Sequence, residues 1–201
     1  TGSSSLYRTG AKFRNYSGSD ENNYLFGSAL QYHTKAADIF IFGARNHLDC
    51  RIEDNLVSSV NLTGLHVSET QIENRDKLHK TSYGVGVQKR FGNFQTGVLY
   101  QKSDFNYSLQ DYGKNAALFG ESFYYHYQNH GFSAAGEIAF SNHSKFALTH
   151  SIYYRKEKFN LGLSLRYLQP DFLSFSGSIL RHYSGRLENE KGYYLFFGLR
   201  P

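Results

Sequence analysis

Apolar and polar residues alternate along much of this chain, most regularly in the stretch EKFNLGLSLRYLQPD at residues 157–171. Because successive side chains of a β-strand point to opposite faces of its sheet, one face of this stretch would be wholly apolar. The apolar positions are Phe159, Leu161, Leu163, Leu165 and Tyr167. The intervening positions are Asn160, Gly162, Ser164 and Arg166. The pattern predicts a strand whose two faces meet different environments.

Similar alternating runs, separated by polar breaks, fill the chain from Lys80 onward. Each run spans roughly 9–12 residues, the length that crosses a hydrocarbon layer at a tilt. Strands of soluble proteins are typically only about 5–6 residues long. Successive hairpins of such strands predict an all-β fold: an antiparallel up-and-down transmembrane β-barrel, with about 10–12 strands in this chain. The last two runs cover 173–179 and 193–199.

The first eighty residues are less regular, but they contain three strand-like runs and one helix signal. The runs are 23–33 and 37–45, which form a predicted hairpin, and 55–66. Two residue pairs in the next segment fit the capping box that begins many helices: Ser68 with Gln71, and Thr70 with Glu73. We therefore expect a short helix near residues 69–79, with an irregular polar loop as the alternative.

The two longest polar breaks after Lys80 are 103–115 and 184–192. In a transmembrane barrel, short turns lie on the periplasmic side and long loops lie outside the cell. An odd number of predicted strands separates these two breaks, so we expect them at opposite ends of the barrel. The strand pattern alone therefore does not orient the chain.

The composition agrees with strands that are apolar on one face only. Tyr and Phe each number 17 and Gly numbers 19, while Met and Trp are absent. The mean hydropathy is nevertheless only −0.53. The sequence lacks an apolar run of about 18 residues, which excludes a transmembrane helix, whereas alternating strands need no such run.

Cysteine content and charge limit the chemistry. Cys50 is the single cysteine, so no intrachain disulfide can form, and the usual metal-ligand spacings are absent. We therefore expect no cofactor and no metal. The segment after Thr1 lacks the parts of a signal peptide, which indicates a mature, cytosolic or excerpted chain. The net charge of +5 fits a solvated basic surface, or a path for anions or nucleic acid.

Three pieces of the chain carry a family resemblance. They are VSSVNLTGLHVSETQIENRDKLHKTSYGVGV, LFGESFYYHYQNHGFSAAGEIAFS and SGRLENEKGYYLFFGLRP. They resemble the membrane portion of helix-hairpin-helix (competence-type) outer-membrane proteins of Gram-negative bacteria, over residues 21–201. The most specific residues are Gly64, Leu65, His66, Glu69, Glu73, Arg75, Asp76 and Leu78. The next most specific are Gly120, Glu121, Gly136, Glu137, Asn189, Glu190, Gly192 and Tyr193.

The resemblance implies a single outer-membrane β-barrel domain over 1–201, an excerpt of a larger barrel that is incomplete at both ends. It implies outer-membrane lipid as the surrounding medium and a periplasmic or outer-membrane protein as a partner. The helix-hairpin-helix region, the family's candidate for binding nucleic acid, is not part of this chain. The expected roles are porin-like passage of solutes or DNA, docking, or structure.

The polar face offers a candidate site. If residues 141–144 close a tight hairpin, Glu137 pairs with Thr149. If Glu157 and Lys158 form the next turn, Thr149 pairs with Arg166. Neighbouring strands lie about 4.8 Å apart, which puts Glu137 roughly 10 Å from Arg166. The predicted lumen-facing charge row is Glu137, Thr149, Arg166 and Arg155, and the predicted lipid-facing residues are Phe159, Leu161, Leu163, Leu165 and Tyr167.

Buried charges need partners or water, so this row predicts a wet or salt-bridged interior. It would serve either as a path for a solute or ion, or only to fill and rigidify the lumen.

The sequence contains little evidence of a catalytic site. The histidines are scattered, and the chain contains no G-x-S-x-G, H-E-x-x-H or P-loop motif. We therefore expect no enzyme and assign no catalytic residue, with an outer-membrane hydrolase as a remote alternative. A soluble ligand-binding β-barrel is the other alternative, but its outward face should be richer in Lys and Glu than in Ser. His150 is awkward for the membrane interpretation, because its parity places it on the lipid side.

Overall fold

The computed structural model describes residues 26–61, 66–110, 114–142, 144–170, 172 and 191–199. Within these residues the protein is mostly β, with ten strands and one short helix. The elements are β1 (Phe26–His33), β2 (Asp38–Glu53), β3 (Leu56–Asn61), α1 (Glu69–Glu73), β4 (Leu78–Phe91), β5 (Phe94–Leu109), β6 (Asn115–Asn129), β7 (Phe132–Ser141), β8 (Lys145–Arg155), β9 (Phe159–Leu168) and β10 (Lys191–Leu199). The predicted run over 173–179 lies outside the described residues, as do His143 and residues 62–65.

The strands form one sheet in which most neighbours are antiparallel. Strands β1, β2 and β4 to β10 lie side by side in that order, each antiparallel to the next. Strand β3 pairs with the last residues of β2 and, in parallel, with Ser108 and Leu109 of β5. Strands β2, β3, β5 and β4 therefore close a small four-stranded barrel within the larger sheet.

A hydrophobic core fills the four-stranded barrel. Its buried residues are Leu48, Cys50, Val57, Leu78, Phe105, Leu109 and Leu118. The segment that carries α1 lies against β2, where the Cys50 N–H donates to the Asn74 carbonyl at 2.9 Å. The predicted capping box at Ser68 and Gln71 is present. The helix is shorter than predicted, because β4 already begins at Leu78.

The predicted break at 103–115 is wrong, because β5 continues to Leu109. Ser103, Phe105 and Leu109 are buried on one side of this strand. Phe105 and Leu109 pack into the core of the four-stranded barrel, which holds this segment in extended conformation. The connection to β6 shrinks to residues 110–114.

The connections differ in length between the two ends of the sheet. At the short-turn end they cover 34–37, 92–93, 130–131 and 156–158. At the other end, which we call the long-connection end, residues 54–77, which include β3 and α1, join β2 to β4, and residues 110–114 and 142–144 join the next pairs; most of the segment between β9 and β10 lies outside the described residues. Most of the predicted break at 184–192 lies outside the described residues, but Lys191, where β10 begins, pairs with Tyr167 near the end of β9. The start of β10 therefore lies at the same end as the connection after β5, which corrects the expectation of opposite ends.

The tight turn between β6 and β7 depends on left-handed backbone conformations. His130 and Gly131 have φ values of 39° and 84°. Two positive φ values suit the type I′ turn, whose twist matches that of the flanking strands. A side chain on Gly131 would also collide with the Arg155 carbonyl, which the bare glycine approaches closely.

Candidate functional site

In a soluble sheet the apolar face is buried and the polar face is exposed. In this sheet many apolar side chains are exposed and many polar positions are buried. On β4, Val85 and Val87 are 41% and 38% exposed, whereas the intervening glycines and Gln88 are buried. On β9, Leu161 and Leu165 are exposed, and Asn160 between Phe159 and Leu161 is buried. The sheet therefore curls around its polar face and turns its apolar face outward.

We call the outward side the apolar face. Its exposed residues include Ile39, Ile41, Tyr83, Val85, Val87, Val98, Phe123, Phe140, Leu148, Leu161, Leu165, Tyr193, Leu195, Phe197 and Leu199. The five residues of β9 that the sequence predicts to face lipid alternate onto this same face, with Phe159, Leu163 and Tyr167 partly exposed. Towards the long-connection end the apolar side chains stop at a polar row, where Thr81 pairs with Arg45 on one side and Asp104 on the other.

Polar side chains also lie on the apolar face, among them Glu121, His150 and Lys102, whose Nζ lies over the Tyr83 and Phe119 rings. Glu121 is paired with Tyr100 and Phe140 across its two neighbouring strands. His150 forms a hydrogen bond of 2.5 Å between its Nδ1 and the Tyr125 hydroxyl. The parity assignment of His150 is therefore correct, and Tyr125 supplies the imidazole with a polar partner on this face.

The inward side carries a polar belt, which we define by register as one residue from each of nine neighbouring strands. Its members are His33, Asp38, Gln88, Gly97, Tyr124, Glu137, Thr149, Arg166 and Gly192. The three-residue row expected from the sequence is thus part of a belt that crosses the sheet from β1 to β10.

Gln88 is the centre of a hydrogen-bond network at one end of the polar belt. Its Nε2 donates to Asp38 Oδ2 at 3.1 Å, and its Oε1 accepts from Tyr124 at 3.2 Å. Gln95 Nε2 also donates to Gln88 Oε1, at 2.8 Å. The Asp38 carboxylate in turn contacts His33 Nδ1 at 2.9 Å. The network fixes side chains from strands β1, β2, β4, β5 and β6 relative to one another.

The two glycines of the polar belt make room for long neighbouring side chains. A Cβ on Gly97 would lie 2.5 Å from the Cζ atom of Tyr124, so the tyrosine ring crosses this glycine to reach Gln88. A Cβ on Gly192 would lie 3.3 Å from Arg166 Nε. The Arg166 side chain therefore lies over β10, on the side away from Thr149.

The predicted register of the charge row is confirmed. Glu137 pairs with Thr149, and Thr149 pairs with Arg166. The two-residue turn after Lys156 is also as predicted, since the Lys156 N–H donates to the Phe159 carbonyl at 2.8 Å. That the row faces a lumen remains a prediction.

Two details of the row differ from the expectation. Within the described part of the chain no ion pair joins Glu137 to Arg166, because the Arg166 side chain turns toward Gly192. Arg155 shares the face of Thr149 but pairs with Asn160 at the end of β8. It therefore lies outside the polar belt, with its guanidinium over the Tyr153 ring.

The sequence pattern did not predict the part of the polar belt whose side chains are joined by hydrogen bonds. Gln88 and Tyr124 are 36 residues apart, and Gln88 and Asp38 are 50 apart. The available signal was their parity, since each occupies the non-apolar position of its strand. Parity assigns a face, but only the pairing of β2 with β4 brings these side chains to one level.

Among the described residues, no group of three or more His, Cys, Asp or Glu side chains is arranged to hold a metal ion. The same residues include no helix that is long and apolar enough to span a membrane. Comparison with known proteins finds no matching family model, no matching curated protein and no matching solved structure.

Proposed function

We propose that this chain forms the wall of a transmembrane β-barrel in a Gram-negative outer membrane. Its apolar face would contact acyl chains, and its polar belt would face the lumen. The observation that carries the proposal is the exposure of the sheet: aliphatic and aromatic side chains are exposed on the outside, and the buried inward positions include Ser82, Gln88 and glycines, together with Phe40 and Ala44.

The free energy of apolar surface favours this environment. Soluble monomers rarely expose contiguous apolar patches larger than a few hundred Å². Each Å² of apolar surface left in water forgoes about 25 cal/mol. Side chains from β1, β2 and β4 to β10 contribute to the apolar face, so an apolar medium around it would be strongly stabilising.

The position of Arg166 agrees with the same arrangement. An Arg or Lys on the lipid side at the bilayer midplane costs roughly 2–4 kcal/mol. Arg166 avoids this cost because its parity places it on the inward side, on the same row as Glu137. The hydrogen bond between Tyr125 and His150 lowers the cost of the one imidazole on β8.

The lengths of the connections suggest an orientation. Transmembrane barrels have short periplasmic turns and longer extracellular loops. We therefore place the short-turn end in the periplasm, and the long-connection end, with α1, outside the cell.

The polar belt favours one of the expected roles, the passage of small polar solutes along the inward side, over docking or a purely structural role. It supplies carboxylate, guanidinium, hydroxyl and amide groups at one level of the wall. A nucleic-acid partner rests only on the family resemblance, through a region that is not part of this chain. We propose no catalytic activity.

A soluble ligand-binding barrel is the competing function. It would need apolar side chains pointing inward around a cavity and polar ones outward. Among the described residues, inward apolar side chains form the core of the four-stranded barrel, with residues such as Leu78 and Leu109, and a smaller buried cluster of Ala147, Leu168 and Phe172. Both clusters are packed with side chains.

Vesicle flotation distinguishes the two functions. The chain is refolded in the presence of phosphatidylcholine vesicles, washed with alkaline carbonate and floated on a density gradient. The membrane proposal predicts that the chain floats with the lipid and needs detergent to stay monodisperse. A chain that stays monodisperse without detergent and remains at the bottom of the gradient would contradict it.

A further inference from the structure

Two histidines far apart in sequence face each other across β2 and β4. His47 and His79 are direct partners in the antiparallel register. Their ring centroids are 4.5 Å apart and the ring planes are inclined by 21°. Both residues are exposed. The pair lies beyond the polar row of Arg45 and Thr81, and thus past the edge of the apolar face.

The rings of this pair differ from other histidine rings in the sheet in their bonding. His33 and His66 each contact a carboxylate, on Asp38 and Asp49 respectively. Among the described residues, His47 and His79 have no such contact, and their rings only stack on each other. The His79 main-chain N–H donates to Asn106 Oδ1 at 2.8 Å, which holds the backbone but leaves the ring nitrogens available.

The distance between the rings suits a shared metal ion. Zinc binds imidazole nitrogen at about 2.0–2.1 Å, so two nitrogens on one ion lie roughly 3–4 Å apart. Directly opposed residues of an antiparallel pair have Cβ atoms about 4.5–5.5 Å apart, within reach of such a geometry. Small rotations of the two stacked rings would bring one nitrogen of each to the same ion.

We propose that His47 and His79 form a binding site for a divalent transition metal ion, Zn²⁺ or Cu²⁺. Imidazole is a ligand that both ions favour. Two protein nitrogens would hold the ion, and water would occupy its remaining positions. The inference does not depend on the proposed membrane function, because the pair is exposed to solvent.

Metal binding here would act on the sheet itself. β2 pairs with β1 as far as Arg45 and with β3 from Asp49 onward. His47 lies between these two segments, so an ion shared with His79 would tie β2 to β4 where β2 changes its other partner. We therefore expect the ion to raise the thermal stability of the sheet.

Calorimetric titration of the full chain in detergent with ZnCl₂ tests the site. His47→Ala and His79→Ala should each weaken Zn²⁺ binding by at least about tenfold. His130→Asn removes an exposed imidazole from a turn, with a residue that tolerates the positive φ at this position, and should leave the affinity unchanged. Binding should also weaken in acid, because protons compete for the same nitrogens.

Electron paramagnetic resonance of Cu²⁺ bound to the wild-type chain gives an independent readout that needs no variant. Two coordinated imidazole nitrogens, reduced to one in either alanine variant, would support the site. The proposal is overturned if the wild-type signal lacks two nitrogens, or if both alanine variants bind Zn²⁺ as the wild type does.

Discussion

At the scale of single residues, Lys80 is unusual because its ionisable side chain is buried. Its side chain is buried, 5% exposed, on the inward side of β4. It lies beyond the edge of the apolar face, level with Asn46 and Phe105 on the neighbouring strands. Burial lowers the pKa of this amine from 10.5 to about 8, because the ammonium is poorly solvated there.

The lowered pKa predicts a pH-dependent stability. Between about pH 8 and pH 10.5 the unfolded chain binds a proton at Lys80 that the folded chain does not. The free energy of unfolding should therefore rise with pH across this window, by about 3 kcal/mol in total. Denaturant titration in detergent micelles, followed by circular dichroism, measures this dependence.

Lys80→Met is the matching variant. The stability of Lys80→Met relative to the wild type should fall by about 3 kcal/mol as the pH rises from below 8 to above 10.5. Since tyrosines and other lysines titrate in both proteins, only the difference between the two curves reports Lys80. Equal slopes in the two proteins would show that Lys80 is solvated in the folded state.

At the scale of elements, strands with strict alternation and short turns were predictable from the sequence. In β7, β8 and β9 a shift of the register by one residue would move the apolar side chains to the opposite face of the sheet. The alternation and the short turns therefore fix the register. The extension of β5 was missed, although Phe105, Tyr107 and Leu109 occupy alternate positions, because the polar residues between them were interpreted as a break; contacts with β4 and the core keep this segment extended. The polar belt and the His47–His79 pair depend on the β2–β4 pairing, which no local pattern encodes.

Gly97 tests how the polar belt is packed. A methyl group there would lie 2.5 Å from the Tyr124 ring and 2.9 Å from the Val87 carbonyl. Gly97→Ala should therefore displace the Tyr124 hydroxyl from Gln88 and destabilise the sheet by about 1–3 kcal/mol. Denaturant unfolding of the two proteins measures the effect.

Gly43→Ala is the matched control, because a Cβ there would meet nothing within 4 Å. Alanine in a strand costs less backbone entropy than glycine, so this variant should be neutral or up to about 1 kcal/mol more stable. If both variants lose stability equally, the fit of Tyr124 over Gly97 is not what constrains that position.

At the scale of the whole molecule, the sheet is inverted. Side chains that a soluble protein would bury are turned outward, and a polar belt runs across the inward side from β1 to β10. The short connections gather at one end and the longer ones at the other. The hydrocarbon layer that we propose around the apolar face would account for the exposure, the strand lengths and the two kinds of end together.

The most direct test of this arrangement uses two neighbouring residues of β7. The chain contains no tryptophan, so each single variant carries one indole emitter. Ile138→Trp places the indole on the apolar face and Glu137→Trp places it on the inward side. Fluorescence is then measured in vesicles of lipids brominated along the acyl chain. We predict strong quenching for Ile138→Trp and little for Glu137→Trp, whereas equal quenching of both, or the reverse order, would contradict a membrane-facing apolar surface.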